Sequence, residues 1–227
     1  MSRRLGPRDI TEYTLLMSYA TATSRYGLRE APAGLALVQD FLNTRAIGGH
    51  GADLLGDRDS ASSWARAASE RWAADRGIDP PAIALTASDV RHLRELRGAF
   101  ERLVGGPEYG GPEREGATDG QGAIDGPIVA LPVAATLVPG TGDVTLAPAG
   151  SGWRWLASAL WIETYRSQQN GTWPRLKRCR NTECGSTFYD GSRNNSGVWH
   201  DVRTCGNVAN LRASRARRRP RLDDGRS

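Results

Sequence analysis

Three cysteines and one histidine near the end of the chain constrain its fold more than any other feature. Four residues separate Cys179 from Cys184, four separate His200 from Cys205, and the loop 185–199 joins the two pairs. All three cysteines of the chain fall in this set. Two short knuckles brought together by one loop supply the four sulfur and imidazole ligands of a tetrahedral zinc at little cost in chain entropy. The plain alternative is a chance cluster of buried thiols with His200 at the surface, but scattered core cysteines have no reason to fall in paired spacing. A disulfide would use two cysteines and leave one over. The set Cys179, Cys184, His200 and Cys205 therefore predicts one structural Zn²⁺.

With 227 residues, the chain is long enough for a medium body and a small second unit. No stretch approaches the ~18 consecutive apolar residues of a membrane span. Arg3 and Arg4 precede an apolar stretch, 14–20, that is short and interrupted by hydroxyls, which argues against a secretory signal. Zinc-spaced thiols in place of a disulfide framework predict a cytoplasmic protein. The net charge of +5 hides an asymmetry: residues 175–227 hold 13 Lys or Arg against 5 Asp or Glu, leaving 17 against 20 in residues 1–174. The basic end is the zinc end, and a basic segment beside a finger points to a polyanion. The plain alternative is a solvated, disordered tail. Arginine supplies almost all of this charge, with Lys177 the only lysine.

Ile10, Tyr13, Leu16, Met17 and Ala20 recur at helical spacing. Leu35 to Asn43 is an apolar run that reads as a helix or as a strand leading into one. Ser60 is an expected N-cap for a helix through Trp64, Ala68 and Trp72 that ends at Gly77. Thr86 and Asp89 have the spacing of a capping box ahead of Val90, Leu93, Leu96, Phe100, Leu103 and Val104, which fall on one face. Residues 105–126 contain eight glycines and no apolar period, and are expected to form a mobile surface loop. Ala134–Val138 and Val144–Ala147 predict a β-hairpin around a glycine turn. Trp153, Leu156, Ala157, Leu160, Trp161 and Tyr165 predict a helix that stops near Asn170-Gly171. The expected fold is α+β: a mostly helical body with a small antiparallel hairpin or sheet, followed by a small C-terminal zinc finger.

Arg175-Leu-Lys-Arg-Cys179, Cys184-Gly185, Phe188-Tyr-Asp190, Ser192-Arg-Asn194, Trp199 and Cys205-Gly-Asn207 together resemble the CGNR zinc finger. That finger closes a group of bacterial stress-induced transcription regulators. Their N-terminal ABATE domain opens with a leucine-rich Asp-Phe-x-Asn-Thr segment, which Leu35 to Thr44 resembles here. The resemblance implies a sensing or dimerising body over 34–170 and a finger over 171–219, with an extension over 1–33 before them, expected to be helical, and a disordered tail expected over 220–227. Three departures stand out. His200 takes the place of a third cysteine, Val208 replaces the arginine that names the motif, and Gly197-Val198 stand where basic residues are common. The first preserves a four-donor site, whereas the second removes a cation from the motif.

As a regulator of this kind the chain would bind bacterial nucleoid DNA through Arg203, Arg212, Arg215, Arg217, Arg218 and Arg219, with Asn207 at the start of the last helix. The body would bind a small-molecule effector or form a homodimer, with Asn43, Thr44, Arg45, Trp64 and Arg97 as candidates to line a pocket. Asn43 and Thr44 also suit the end of an element, Trp64 suits a core, and Arg97 suits an ion pair with Asp40. Enzyme chemistry finds little support. His50 lies in a glycine-rich turn, His92 on a charged helix face and His200 in the metal set, so none is placed beside a nucleophile. No phosphate loop, dinucleotide fingerprint or His-Glu-x-x-His motif is present, and four protein ligands leave a zinc no open position. Two other readings remain open: a protein-interaction module with a purely structural zinc, and a ligand-binding or enzymatic body whose finger serves assembly.

Overall fold

A short run with almost no polar side to show to water lies at the centre of the molecule. Helix α1, Leu35–Leu42, buries every residue except Ala36 and packs against the three other helices and a strand of the finger. Eight residues are too few for a stable isolated helix, so tertiary packing on all sides maintains it. The apolar run is therefore a helix and not a strand, with Asn43 at its C-cap. The structure, a computed structural model, describes residues 21–48, 51–105, 134–140, 142, 144–208 and 211. The expected N-terminal helix, His50 and all of the glycine-rich stretch but Gly105 lie outside these residues, as do Arg212, Arg215, Arg217, Arg218 and Arg219.

Around α1 stand α2 (Arg58–Ala74), α3 (Ala87–Gly105) and α4 (Trp153–Gln169). The N-cap of α2 is Asp57 and not Ser60: its carboxylate accepts from the amides of Asp59 and Ser60, both at 2.9 Å. Ser60 sits one turn in, where its hydroxyl donates to Leu54 O at 3.0 Å and Asp57 Oδ2 at 2.9 Å. The carboxylate wins because it accepts two orphan amides at once. The helix ends at Ala74, ahead of Gly77. The capping box of α3 forms as expected, with Thr86 N donating to Asp89 Oδ2 at 2.8 Å and Asp89 N to Thr86 Oγ1 at 3.2 Å. Val90, Leu93, Leu96 and Phe100 are buried below it; Leu103 and Val104 are only half-buried as the helix runs out of the core.

The hairpin of β1 (Ala135–Pro139) and β2 (Val144–Pro148) is antiparallel, and β2 lies along α4. Helix α4 ends at Gln169 with Asn170 as C-cap, as its sequence predicts. Beyond it, β3 (Leu176–Arg178) pairs antiparallel with β4 (Thr187–Tyr189).

This small sheet is held to α1 by an amide exchange. Asn43 Nδ2 donates to Thr187 O at 2.8 Å, and Thr187 N donates to Asn43 Oδ1 at 2.9 Å. Gln39 Nε2 donates to the same carbonyl at 3.3 Å and to Arg29 O at 2.9 Å, while its oxygen accepts from Ala31 N. The side chain of Arg25 donates to the carbonyls of Asn43, Thr44 and Arg45, which closes the C-terminal end of α1.

Phe100 is fully buried, edge-on to Phe41 and 4.5 Å from the Trp161 ring. Phe100→Ala should lower unfolding free energy by about 3–5 kcal/mol in a denaturant titration. A loss below a kilocalorie would place that face outside the cooperative core.

Candidate metal centre

Both knuckles of the finger are built from turns that turn a sulfur inward. In the first, Cys184 N and Gly185 N donate to Asn181 O at 2.9 and 3.0 Å, and Cys179 N donates to Ser186 O at 2.8 Å. Gly185 has φ of +64°, a left-handed conformation that a side chain would strain. In the second, Asp201 caps a short π-helix, Val202–Gly206, by accepting from Arg203 N, and this turn carries Cys205 inward. A Cβ on Gly206 would stand 3.3 Å from the Trp199 ring and 3.2 Å from Val202, so a larger residue after Cys205 would push these side chains aside by a few tenths of an ångström.

The ligand atoms of Cys179, Cys184, His200 and Cys205 all lie within 4.8 Å of one another. Cys184 Sγ and His200 Nδ1 are 3.4 Å apart. A tetrahedron with metal bonds of about 2.0–2.3 Å has edges of roughly 3.4–3.8 Å, so the cluster has the size and donor chemistry of one structural zinc ion. Cys179 and Cys205 are buried; Cys184 and His200 are half-buried. Asn181 Nδ2 donates to Cys205 Sγ at 3.3 Å, and Ser186 Oγ lies in a hydrogen bond 3.1 Å from Cys184 Sγ. Such bonds orient ligand sulfurs and offset their charge.

The hydrogen bonds within the donor set act in the same direction. A hydrogen bond between Cys179 and Cys184 lets one proton serve both sulfurs, which pushes the Cys179 thiol up and holds Cys184 down as thiolate. The bond to Cys184 also raises His200, against the effect of burial. A divalent cation replaces these shared protons, so binding releases protons and weakens as pH falls.

Lys177 and Asp190 brace the loop between the knuckles. Lys177 Nζ donates to Asp190 Oδ2 at 2.7 Å, Asn195 O at 2.7 Å and Gly197 O at 3.0 Å. Asp190 also accepts from the amides of Ser192 and Gly197. Burial alone would raise its carboxyl, but the bonds from Lys177, Ser192 and Gly197 outweigh burial and hold it well below the ordinary range. No sequence spacing marks this pair, because the two residues meet only when β3 and β4 pair.

The residues considered for a ligand pocket have partners within the chain. Asn43 holds β4, and Thr44 Oγ1 donates to Phe41 O and accepts from Arg97 Nη1. Trp64 Nε1 donates to Asp40 Oδ2 at 2.9 Å. Arg97 is buried and forms a two-point pair with Asp53 at 2.8 and 2.6 Å; Asp40 instead accepts from Trp64 and Thr23. Arg45 is exposed and pairs with Glu101 at 3.2 Å. Of the residues considered for nucleic acid, Arg203 and Asn207 are described, and both are exposed.

The family model described as "Putative stress-induced transcription regulator", ABATE, matches residues 35–162. A second, described as "CGNR zinc finger", matches residues 175–218. No curated protein and no solved structure matches the chain.

Protein purified without chelator should carry one zinc per chain, with His200→Cys retaining it and His200→Ala binding it more weakly in competition with a chromogenic chelator. Equal affinity in His200→Ala would assign the fourth position to another group. The depressed Asp190 carboxyl stabilises the fold above its ordinary pKa of about 3.8, and that contribution is lost as pH falls through the lower, folded-state value. Asp190→Asn should therefore lower the melting temperature of the zinc-loaded protein between about pH 6 and 8, where the parent's carboxylate is ionised and the metal stays bound. An unchanged melting temperature there would remove Asp190 from the stability of the finger.

Proposed function

We propose, for a chain that belongs to the ABATE family and carries a CGNR zinc finger, that it is a zinc-dependent DNA-binding transcription regulator whose body senses an effector or dimerises. The family description points to a regulator rather than an enzyme. Zinc dependence follows from the size of the finger, whose own apolar cluster contains few side chains: Leu28, Phe188 and the ligand cysteines, with Tyr26 and Trp199 against them. Metal binding can supply about 10–16 kcal/mol to such a fold.

One observation carries the DNA reading. The finger turns β4 toward α1, whereas the chain on either side of Cys205 faces solvent, with Arg203 exposed before it, Asn207 exposed after it and helical backbone at Asn207, Val208 and Leu211. That segment leads into the arginine run 212–219. If the helix continues, Arg212, Arg215 and Arg219 share one side at spacings of three and four. Such a face neutralises phosphates without regard to base sequence. Val208, 40% exposed where an arginine names the motif, offers only apolar contact, for instance to a thymine methyl. Specificity would then depend on the spacing of two fingers in a homodimer.

A second reading has its own support. Val202, Val208 and Leu211 are 62%, 40% and 53% exposed, an apolar set suited to a protein partner. Among the described residues no helix is long and apolar enough to cross a membrane.

Titration of duplex DNA across salt concentrations separates the two. The parent should bind with a steep salt dependence, and an Arg212, Arg215, Arg219 triple alanine variant should bind more weakly with a slope reduced by about one unit per lost contact. Equal affinities and slopes would overturn the arginine face and favour the protein-partner reading.

A further inference from the structure

Between the β1–β2 hairpin and the adjoining parts of α2 and α4 lies a groove of about 460 Å³, within the size range of small-molecule sites. None of the residues matched to the ABATE opening motif lines it. Trp72 and Trp155 form one wall, edge to face with centroids 5.3 Å apart, and Ile78 and Ala147 contribute further apolar surface. Arg76 and Arg166 supply the cations of the lining.

These two guanidinium groups are unequally matched. Both donate to a single oxygen, Glu163 Oε1, at 2.7 Å from Arg76 and 3.0 Å from Arg166, and Trp72 Nε1 donates to the same oxygen at 3.2 Å. Glu163 is 3% exposed and lies behind the lining, so two cations face the groove over one buried anion. Among the described residues each guanidinium makes one further bond, Arg76 to Trp72 O and Arg166 to Leu146 O. With five N–H donors apiece, both retain donors beyond those bonds. The Arg76 guanidinium carbon also lies over the Trp72 ring, 4.0 Å from its centroid. Burial, together with the neighbouring Arg166 charge, lowers the pKa of Arg76 against the opposing effects of Glu163 and Asp75. Among the described residues, Asp75 and Asp79 are further carboxylates nearby, and both are exposed, so water screens them.

We propose that this groove binds a small organic anion with a flat apolar body, of the aromatic carboxylate class, its carboxylate on Arg76 and Arg166 and its ring against Trp155, Ile78 and Ala147. A carboxylate matches the fork of a guanidinium, and indole rings favour a flat partner. The assignment deepens the sensing role given to the body and rests on it only for its regulatory meaning.

Isothermal titration of the full chain with naphthoate tests the site, with naphthylmethanol as the uncharged counterpart and acetate as the anion without a ring. Naphthoate should bind saturably, one per chain, and both counterparts at least about tenfold more weakly, since charge-assisted bonds are worth that much. Arg166→Gln should weaken naphthoate by about tenfold while leaving naphthylmethanol nearly unchanged. Ala147→Phe, a change in the hairpin that touches no ion pair, should fill the groove and abolish binding of both aromatic probes with the melting temperature unaltered. Equal affinity for naphthoate and naphthylmethanol, unaltered binding in Ala147→Phe, or no saturable binding by the parent would overturn the proposal. Titration with duplex DNA alone keeps the two readings apart. Anion-selective binding by a protein that does not bind DNA upholds the site and removes the regulator, and DNA binding without anion binding does the reverse.

Discussion

The exchange of hydrogen bonds between Asn43 and Thr187 joins the helical core to the metal-bearing sheet. A side-chain amide offers one donor and one acceptor in the arrangement a neighbouring strand would present, and Asn43 uses both on the edge of β4. Both residues are buried, so neither amide has water as a substitute partner. Thr187 follows directly after Ser186, whose carbonyl accepts from the ligand Cys179. The end of α1 is thus two residues of strand away from the metal set. Leu176 extends the link, since it begins β3 and belongs to the core of the helices.

The core around α1 contains more polar groups than a helix of its composition would suggest, and those that α1 itself carries are paired. Gln39, Asp40 and Asn43 lie on a helix buried on nearly every side, and they accept or donate to the segment 23–31, to Trp64 and to β4. A buried polar group without a partner costs more than a paired one returns, so these bonds specify one arrangement more than they add stability. The pair between Arg97 and Asp53 follows the same rule at the edge of the core. Burial would raise the Asp53 carboxyl, but Arg97 and the amide of Leu55 hold it below the ordinary range.

Local signals were legible in the sequence, and long-range partners were not. The paired spacing of Cys179, Cys184, His200 and Cys205, the capping box at Thr86 and the hairpin near Gly142 each depend on residues a few positions apart. The structure brings all three together as that spacing implies. Leu35 to Asn43 stayed ambiguous because a helix buried all round has no period to display. Asp57 and Ser60 are both cap residues, and only the geometry of the entering loop decides between them. Arg97 finds Asp53 and not Asp40 because Asp40 is already held by an indole from α2, a contact between elements that no local pattern encodes. The groove walled by Trp72 and Trp155 was equally hidden, since its sides come from three separate stretches of chain.

The brace on the knuckle loop has a chemical corollary. Lys177 is the only lysine of the chain, and its ammonium has three bonded partners in Asp190, Asn195 and Gly197. An acylating reagent or enzyme needs the free amine, which requires both loss of a proton and release from these acceptors. The folded protein therefore presents no unengaged side-chain amine to such chemistry. Acylation at Lys177 would report the opening of the finger, a built-in label whose reactivity measures how often β3, β4 and the loop come apart.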